Sequence, residues 1–293
     1  MSGVFPTDTV RVGDELLFYN VENSRVRRAN ANDFNDKNNV ILIHGFTAHG
    51  EYMHSIAETL ANHGFQTFIF NYHSYRGIKT AAENLQTLLG NLSDLRKDKI
   101  PEKATSLVAH SMGGLVARAM CQLTPGKRYI SKIVTLGTPH SGTLYNAELL
   151  GHMIHWGESI SSKMKGFTPS SQSAKELTKK DNDGNGCLID LLHESSKNLI
   201  DIQIFSVSGG KNWLEFGNFF KSFFANRKIQ GWFGDKPNDG LVLEESSDVS
   251  NAVSTSNNNL HHYNNYTEFS DINHSYMIFN QQILLKVASW LKE

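Results

Sequence analysis

The stretch that decides the fold is ATSLVAHSMGGLVARAMCQL, residues 104–123. It opens as an apolar run ending at His110, the pattern of a strand covered on both faces. From Met112 onward, apolar residues recur at helical spacing. Between the two stands Ala109-His110-Ser111-Met112-Gly113. Small residues two before and two after the serine permit a sharp strand-to-helix turn. Such a turn lifts the Ser111 hydroxyl above the sheet's C-terminal edge, at a helix N-terminus. The plainer alternative is a serine N-cap on a tight turn; the flanking strand and helix favour a nucleophile.

Outward from this point the pattern repeats. VILIHG, residues 40–45, is another run buried on both faces, and residues 51–62 have helical spacing that Gly64 ends. QTFIFNY is a strand, residues 79–96 a helix, and YISKIVTLGTPH a strand with a proline stop. Upstream, residues 8–20 read as a strand or hairpin. Strands alternating with helices of this length predict an α/β fold with a mostly parallel sheet. From Ser141 to about Asn198 the chain is helical and polar, which predicts a helical cap at about 144–200 within a single domain spanning 1–293. The sheet resumes at DIQIFSVSGG, a last strand falls within 257–269, and SYMIFNQQILLKVASWL reads as a closing amphipathic helix.

Composition narrows the classes. Hydrophobic residues make up 39% and charged residues 19%, as in ordinary globular proteins. A net charge of −1 gives no reason to expect nucleic acid or an anionic membrane as partner. The opening residues lack a basic stretch followed by an apolar one, and nothing approaches the ~18 apolar residues of a membrane span. Cytoplasmic is therefore the default expectation. Cys121 and Cys187 read as two buried or idle thiols.

A serine nucleophile needs partners. Hydrolysis through a tetrahedral intermediate requires amide donors aimed at the oxyanion, each worth about 3 kcal/mol. The amides of Met112, just after the serine, and of Phe46, in the His44-Gly45-Phe46 loop, are the candidates. The base belongs late in the chain, and Asn273-His274-Ser275 stands just ahead of the closing helix. His261 and His262 compete but fall in a strand-like run. The acid should lie between the strand near Val207 and His274. Asp239, in Asn238-Asp239-Gly240-Leu241-Val242, is preferred over Asp235, Asp248 and Asp271, its alternative being a plain Asp-Gly turn.

Taken together, AHSMGGLVAR, HGF, TLGTPHSGT, NDGLV and the late NHS resemble lipases and esterases of the α/β-hydrolase superfamily. The resemblance covers most of the sheet-forming chain. It implies Ser111 as nucleophile, Asp239 as acid, His274 as base, and Phe46 and Met112 as oxyanion amides. It further implies cleavage of carboxylic esters, small or lipid, without cofactor or metal. Phospholipase, thioesterase or acyltransferase activity, or a hydrolase-like binder without turnover, are the alternatives. Ala109 stands where a first glycine is commoner, and Ser-Tyr-Met follows His274 where calcium-binding relatives carry an aspartate.

Two weaker patterns remain. Asp181 to Gly186 starts like a calcium loop, but its twelfth position is Leu192 where a glutamate is needed. Phe216, Phe219, Phe220, Phe223 and Phe224 share one helical face, within a segment of about 213–226. That face reads either as a helix packed on the core or as a lid or acyl-pocket wall, through Phe216 and Phe220, with transient contact at a lipid interface.

Overall fold

The sheet begins with a hairpin. β1 (Glu15–Asn20) and β2 (Arg25–Arg28) pair antiparallel, and β1 also runs antiparallel to β4 (Gln66–Asn71). The other strands are parallel to their neighbours: β3 (Asn39–Ile43), β5 (Thr105–His110), β6 (Ile130–Leu136), β7 (Gln203–Gly209) and β8 (Asn264–Phe269). The full order is β2-β1-β4-β3-β5-β6-β7-β8. This computed structural model describes residues 13–46, 48–143, 171–178, 187–214, 226–227, 230–231, 233–253 and 264–293. Most of the expected cap (144–170 and 179–186), the calcium-like loop, the phenylalanine face with Phe216 and Phe220, and His261 and His262 lie outside the described residues.

Helices α1 (His54–Asn62), α2 (Ile78–Leu95) and α3 (Gly113–Leu123) make the crossovers between β3, β4, β5 and β6. The run VILI is continuous because both faces of β3 are covered. Ile41 and Ile43 join Leu107 and Ala109 in the core beneath α2 and α3. Val40 and Leu42 join Val108 in the opposite core, beneath α1 and the closing helix α6 (Gln281–Lys292). From β3 the chain turns one way to β4 and then crosses back to β5 on the other side. That reversal opens a crevice at the carboxyl ends of β3 and β5, the usual place for a ligand in such sheets.

One expectation shifts in detail. The closing helix starts at Gln281, not near Ser275, because the Asn280 side chain caps it by accepting from the Ile283 amide at 3.1 Å. Residues 274–279 form turns instead and are free to approach the strand ends. Cys187 is buried at the start of α5 (Leu188–Glu194), donating its thiol to the Thr178 carbonyl, and both cysteines are free.

Segment 171–178 is tied to the body. In α4 (Gln172–Leu177), the Glu176 carboxylate accepts from the Ile78 and Lys79 amides at the start of α2, where the helix dipole favours an anion. The Ser173 hydroxyl accepts from the Gly77 amide at 2.9 Å, and the Thr143 amide donates to the Leu177 carbonyl at 2.9 Å.

On the other flank, Arg118 of α3 is wholly buried. Its guanidinium donates to the Gln122 side chain (3.0 Å), the His140 carbonyl (3.0 Å) and the Leu192 carbonyl of α5 (3.1 Å). Burial lowers its pKa to about 10, which leaves it charged at neutral pH. Arg118→Leu removes three charged hydrogen bonds, leaving the Leu192 carbonyl to the Gln122 side chain (2.6 Å), the His140 carbonyl to His193 (3.4 Å), and the Gln122 oxygen without the guanidinium. We expect a loss of about 3 kcal/mol in unfolding free energy, read from urea midpoints at unchanged slope. A variant as stable as wild type would mean that the guanidinium is dispensable to the α3–α5 contact.

Candidate active site

Ser111 sits where β5 gives way to α3, with φ of 56°, a conformation that non-glycine residues rarely adopt. The backbone is held there from several sides. Its amide donates to the Leu136 carbonyl at 2.8 Å, while its carbonyl accepts from the Gly114 amide (3.0 Å) and the Thr138 hydroxyl (2.9 Å). Gly113 is needed for a different reason: a Cβ there would lie 2.5 Å from the Ile43 carbonyl oxygen. Without it α3 could not start so close to the end of β3.

The His44-Gly45-Phe46 loop lies directly over the serine. A Cβ on Gly45 would stand 2.8 Å from the Ser111 Cβ, so only glycine allows this approach. His44 is buried and stacked on Tyr72 at 4.2 Å between ring centroids. Its Nε2 accepts from the Tyr72 amide at 3.3 Å, which leaves Nδ1–H to donate to the Gly45 carbonyl at 3.0 Å. That carbonyl belongs to the same rigid peptide plane as the Phe46 amide. The orientation of a candidate oxyanion donor is thus set by a neutral imidazole.

His274 and Asp239 meet across the same edge. The His274 Nδ1 is 2.7 Å from Asp239 Oδ2, and both residues are buried. A carboxylate only accepts, so Nδ1 carries a proton, and in the neutral ring Nε2 is the acceptor. The other carboxylate oxygen accepts from the Leu241 (3.0 Å) and Val242 (2.7 Å) amides. The His274 amide donates to the Asp239 carbonyl at 2.9 Å, doubling the link between the two segments. Of the rival acids, Asp248 turns instead to the Ser250 amide.

Ser111, His274, His110 and Phe46 open on one cavity of about 300 Å³. Its walls are apolar: Met53, Leu177, Val242 and Ile278 inside, with exposed Tyr52 and Phe279 at the rim. A carbonyl seated beside Ser111 would find the His274 imidazole and apolar surroundings, the elements of acyl transfer. The structure brings together Ser111, Met112, Phe46, His274 and Asp239. The sequence reading missed four contributors: Thr138 on the Ser111 carbonyl, Pro139 in the cavity wall, His44 behind the loop, and His110 against the His274 carbonyl. Three of these lie in HGF and GTPHSGT, so the motifs were visible although the roles were not.

Burial holds His44 well below its usual range, down to about 4, and holds His140 well below that range too, with Arg118 beside it. Between about pH 6.5 and 4 the unfolded chain binds a proton at each site and the folded chain does not. Stability is therefore full above that window and falls as pH drops through it. His44 alone accounts for about 2 kcal/mol lost between pH 7 and 5. Urea midpoints across this range check the sign, and stability that rises on acidification would contradict it.

A family model described as "Putative serine esterase (DUF676)" matches residues 35–225. No curated protein matches the chain. Among solved structures, lipase BlEst2 of Bacillus licheniformis in mature form aligns at 17% identity and TM-score 0.61, over 87% of this chain and 92% of that one. A hydrolase from Oleispira antarctica aligns at 12% identity and TM-score 0.55, over 89% and 93%. The Pyrococcus furiosus esterase Pf2001 aligns at 16% identity and TM-score 0.51, over 100% and 96%. At such identities the likeness is one of fold, that of the α/β-hydrolases.

Proposed function

The chain belongs to the DUF676 family, and from that premise we propose that it hydrolyses carboxylic esters through Ser111, His274 and Asp239. The observation that carries this reading is the buried Asp239–His274 hydrogen bond of 2.7 Å, facing the same cavity as the strained Ser111 turn. Nε2 of His274 takes the Ser111 proton as the hydroxyl oxygen attacks the ester carbonyl. The oxyanion is held by the Phe46 and Met112 amides, and Asp239 stabilises the imidazolium. His274 then protonates the leaving alcohol, giving an acyl-enzyme. Water, deprotonated by the same imidazole, adds to the acyl carbon and releases the acid.

The apolar lining supports a hydrophobic acyl group, and the aromatic rim supports substrates presented at an apolar surface. Chain length follows from hydrolysis of p-nitrophenyl esters from acetate to palmitate. We expect cleavage across the shorter chains, with an optimum that sizes the cavity. Absence of turnover on every p-nitrophenyl ester, with turnover of thioesters or phospholipids, would move the substrate class.

A further inference from the structure

We propose that His110 is a positioning residue, a strut that fixes the base His274 relative to the nucleophile Ser111. The inference rests on the proposed function for its consequences but on separate contacts for its geometry. His274 is tied down at three points. Its Nδ1 and its amide both end on Asp239, at 2.7 and 2.9 Å. These two bonds lock the imidazole to the loop that carries the acid, which is not the segment that carries the nucleophile. The third tie is the His110 Nε2 on the His274 carbonyl, at 3.0 Å. Among the hydrogen bonds between described residues, it joins the base's backbone directly to the end of β5.

The strut is stiff at its β5 end. His110 pairs with Leu136 in the sheet, and the next residue, Ser111, donates its amide to the Leu136 carbonyl at 2.8 Å. Any movement of the His274 loop away from Ser111 must therefore stretch a bond to a ring held by the sheet. A carbonyl can only accept, so the His110 Nε2 carries its hydrogen. The two imidazoles stand 4.8 Å apart between centroids, tilted by 45°. Enclosure and the neighbouring His274 push the His110 pKa down to about 3. A neutral ring adds no repulsion when His274 becomes imidazolium, whereas a lysine at this position would.

The test compares His110→Phe, which keeps a ring but loses the donor, with His110→Gln, whose side-chain amide reaches to about the same point. Misplacement of a catalytic group by ~1 Å costs up to about 100-fold. We expect His110→Phe to lower kcat roughly 10- to 100-fold with KM within about twofold. Phosphonylation of Ser111 by a fluorophosphonate should slow by the same factor yet still reach one label per chain. His110→Gln should recover most of both rates. Wild-type rates in His110→Phe, or a His110→Gln variant no faster than it, would overturn the strut. Should the variants fold poorly, ¹⁵N-histidine NMR of the wild-type protein decides: His110 is expected as the Nε2–H tautomer with no titration between pH 5 and 8. A His110 that titrates in that range, or carries its proton on Nδ1, refutes the contact. If wild type neither hydrolyses esters nor takes the label, the proposed function fails, while the NMR result still tests the hydrogen bond.

Discussion

Ser111→Ala abolishes ester hydrolysis, with kcat at least roughly 10⁴-fold below wild type, while the melting temperature stays within about 2 °C. The expectation follows from what the substitution leaves in place. The Ser111 amide and carbonyl bonds to Leu136, Gly114 and Thr138 are made by backbone, so the turn survives loss of the hydroxyl. Serine and alanine tolerate the left-handed conformation about equally, so little strain is gained or lost. The Asp239–His274 pair is untouched. What disappears is the oxygen proposed to form the acyl bond, and a drop of 10⁴ corresponds to about 5.5 kcal/mol of transition-state stabilisation. Parallel kinetics and thermal melts of the two proteins give the result. Activity within tenfold of wild type would remove Ser111 from the chemistry.

Asp239→Asn lowers kcat by roughly 10³- to 10⁴-fold through a change of tautomer, with the fold retained. The asparagine keeps an oxygen for the Leu241 and Val242 amides, which hold Oδ1 at 3.0 and 2.7 Å. In place of Oδ2 it presents an NH₂ group to His274 Nδ1. Two donors cannot share that bond, so the imidazole shifts its proton to Nε2 and loses the lone pair that, in the proposed mechanism, takes the Ser111 proton. Asp239→Ala should cost stability as well, since the two amides also lose their acceptor. A melting temperature unchanged in the asparagine variant and lowered in the alanine variant separates the two roles. An Asp239→Asn enzyme with kcat near wild type would show that another group orients the base.

The features of the fold and site legible in the sequence are those with a local signature. β3 and β5 announce themselves because strands buried on both faces need unbroken apolar runs, and the turn at Ser111 needs small residues on either side. β2 was not read as a strand because Arg-Val-Arg-Arg buries only Val26 at the sheet's edge. Arg118 looks like an ordinary helix-surface charge, yet it is buried because its acceptors are carbonyls 22 and 74 positions away. His110 reaches a carbonyl 164 positions along the chain, a pairing no spacing rule encodes. Asp239 could be preferred over its rivals from its turn, but only folding decides which aspartate meets His274. The start of the closing helix was misplaced because apolar residues 276–279 continue its pattern while Asn280 interrupts it.

Covalent labelling tests Ser111 as the nucleophile. Wild-type protein is treated with a fluorophosphonate and digested, and the modified peptide is identified by mass. One phosphonyl group per chain is expected, on Ser111, appearing at the rate at which ester hydrolysis is lost. A label on another residue, or ester hydrolysis that persists in the fully labelled protein, would contradict it.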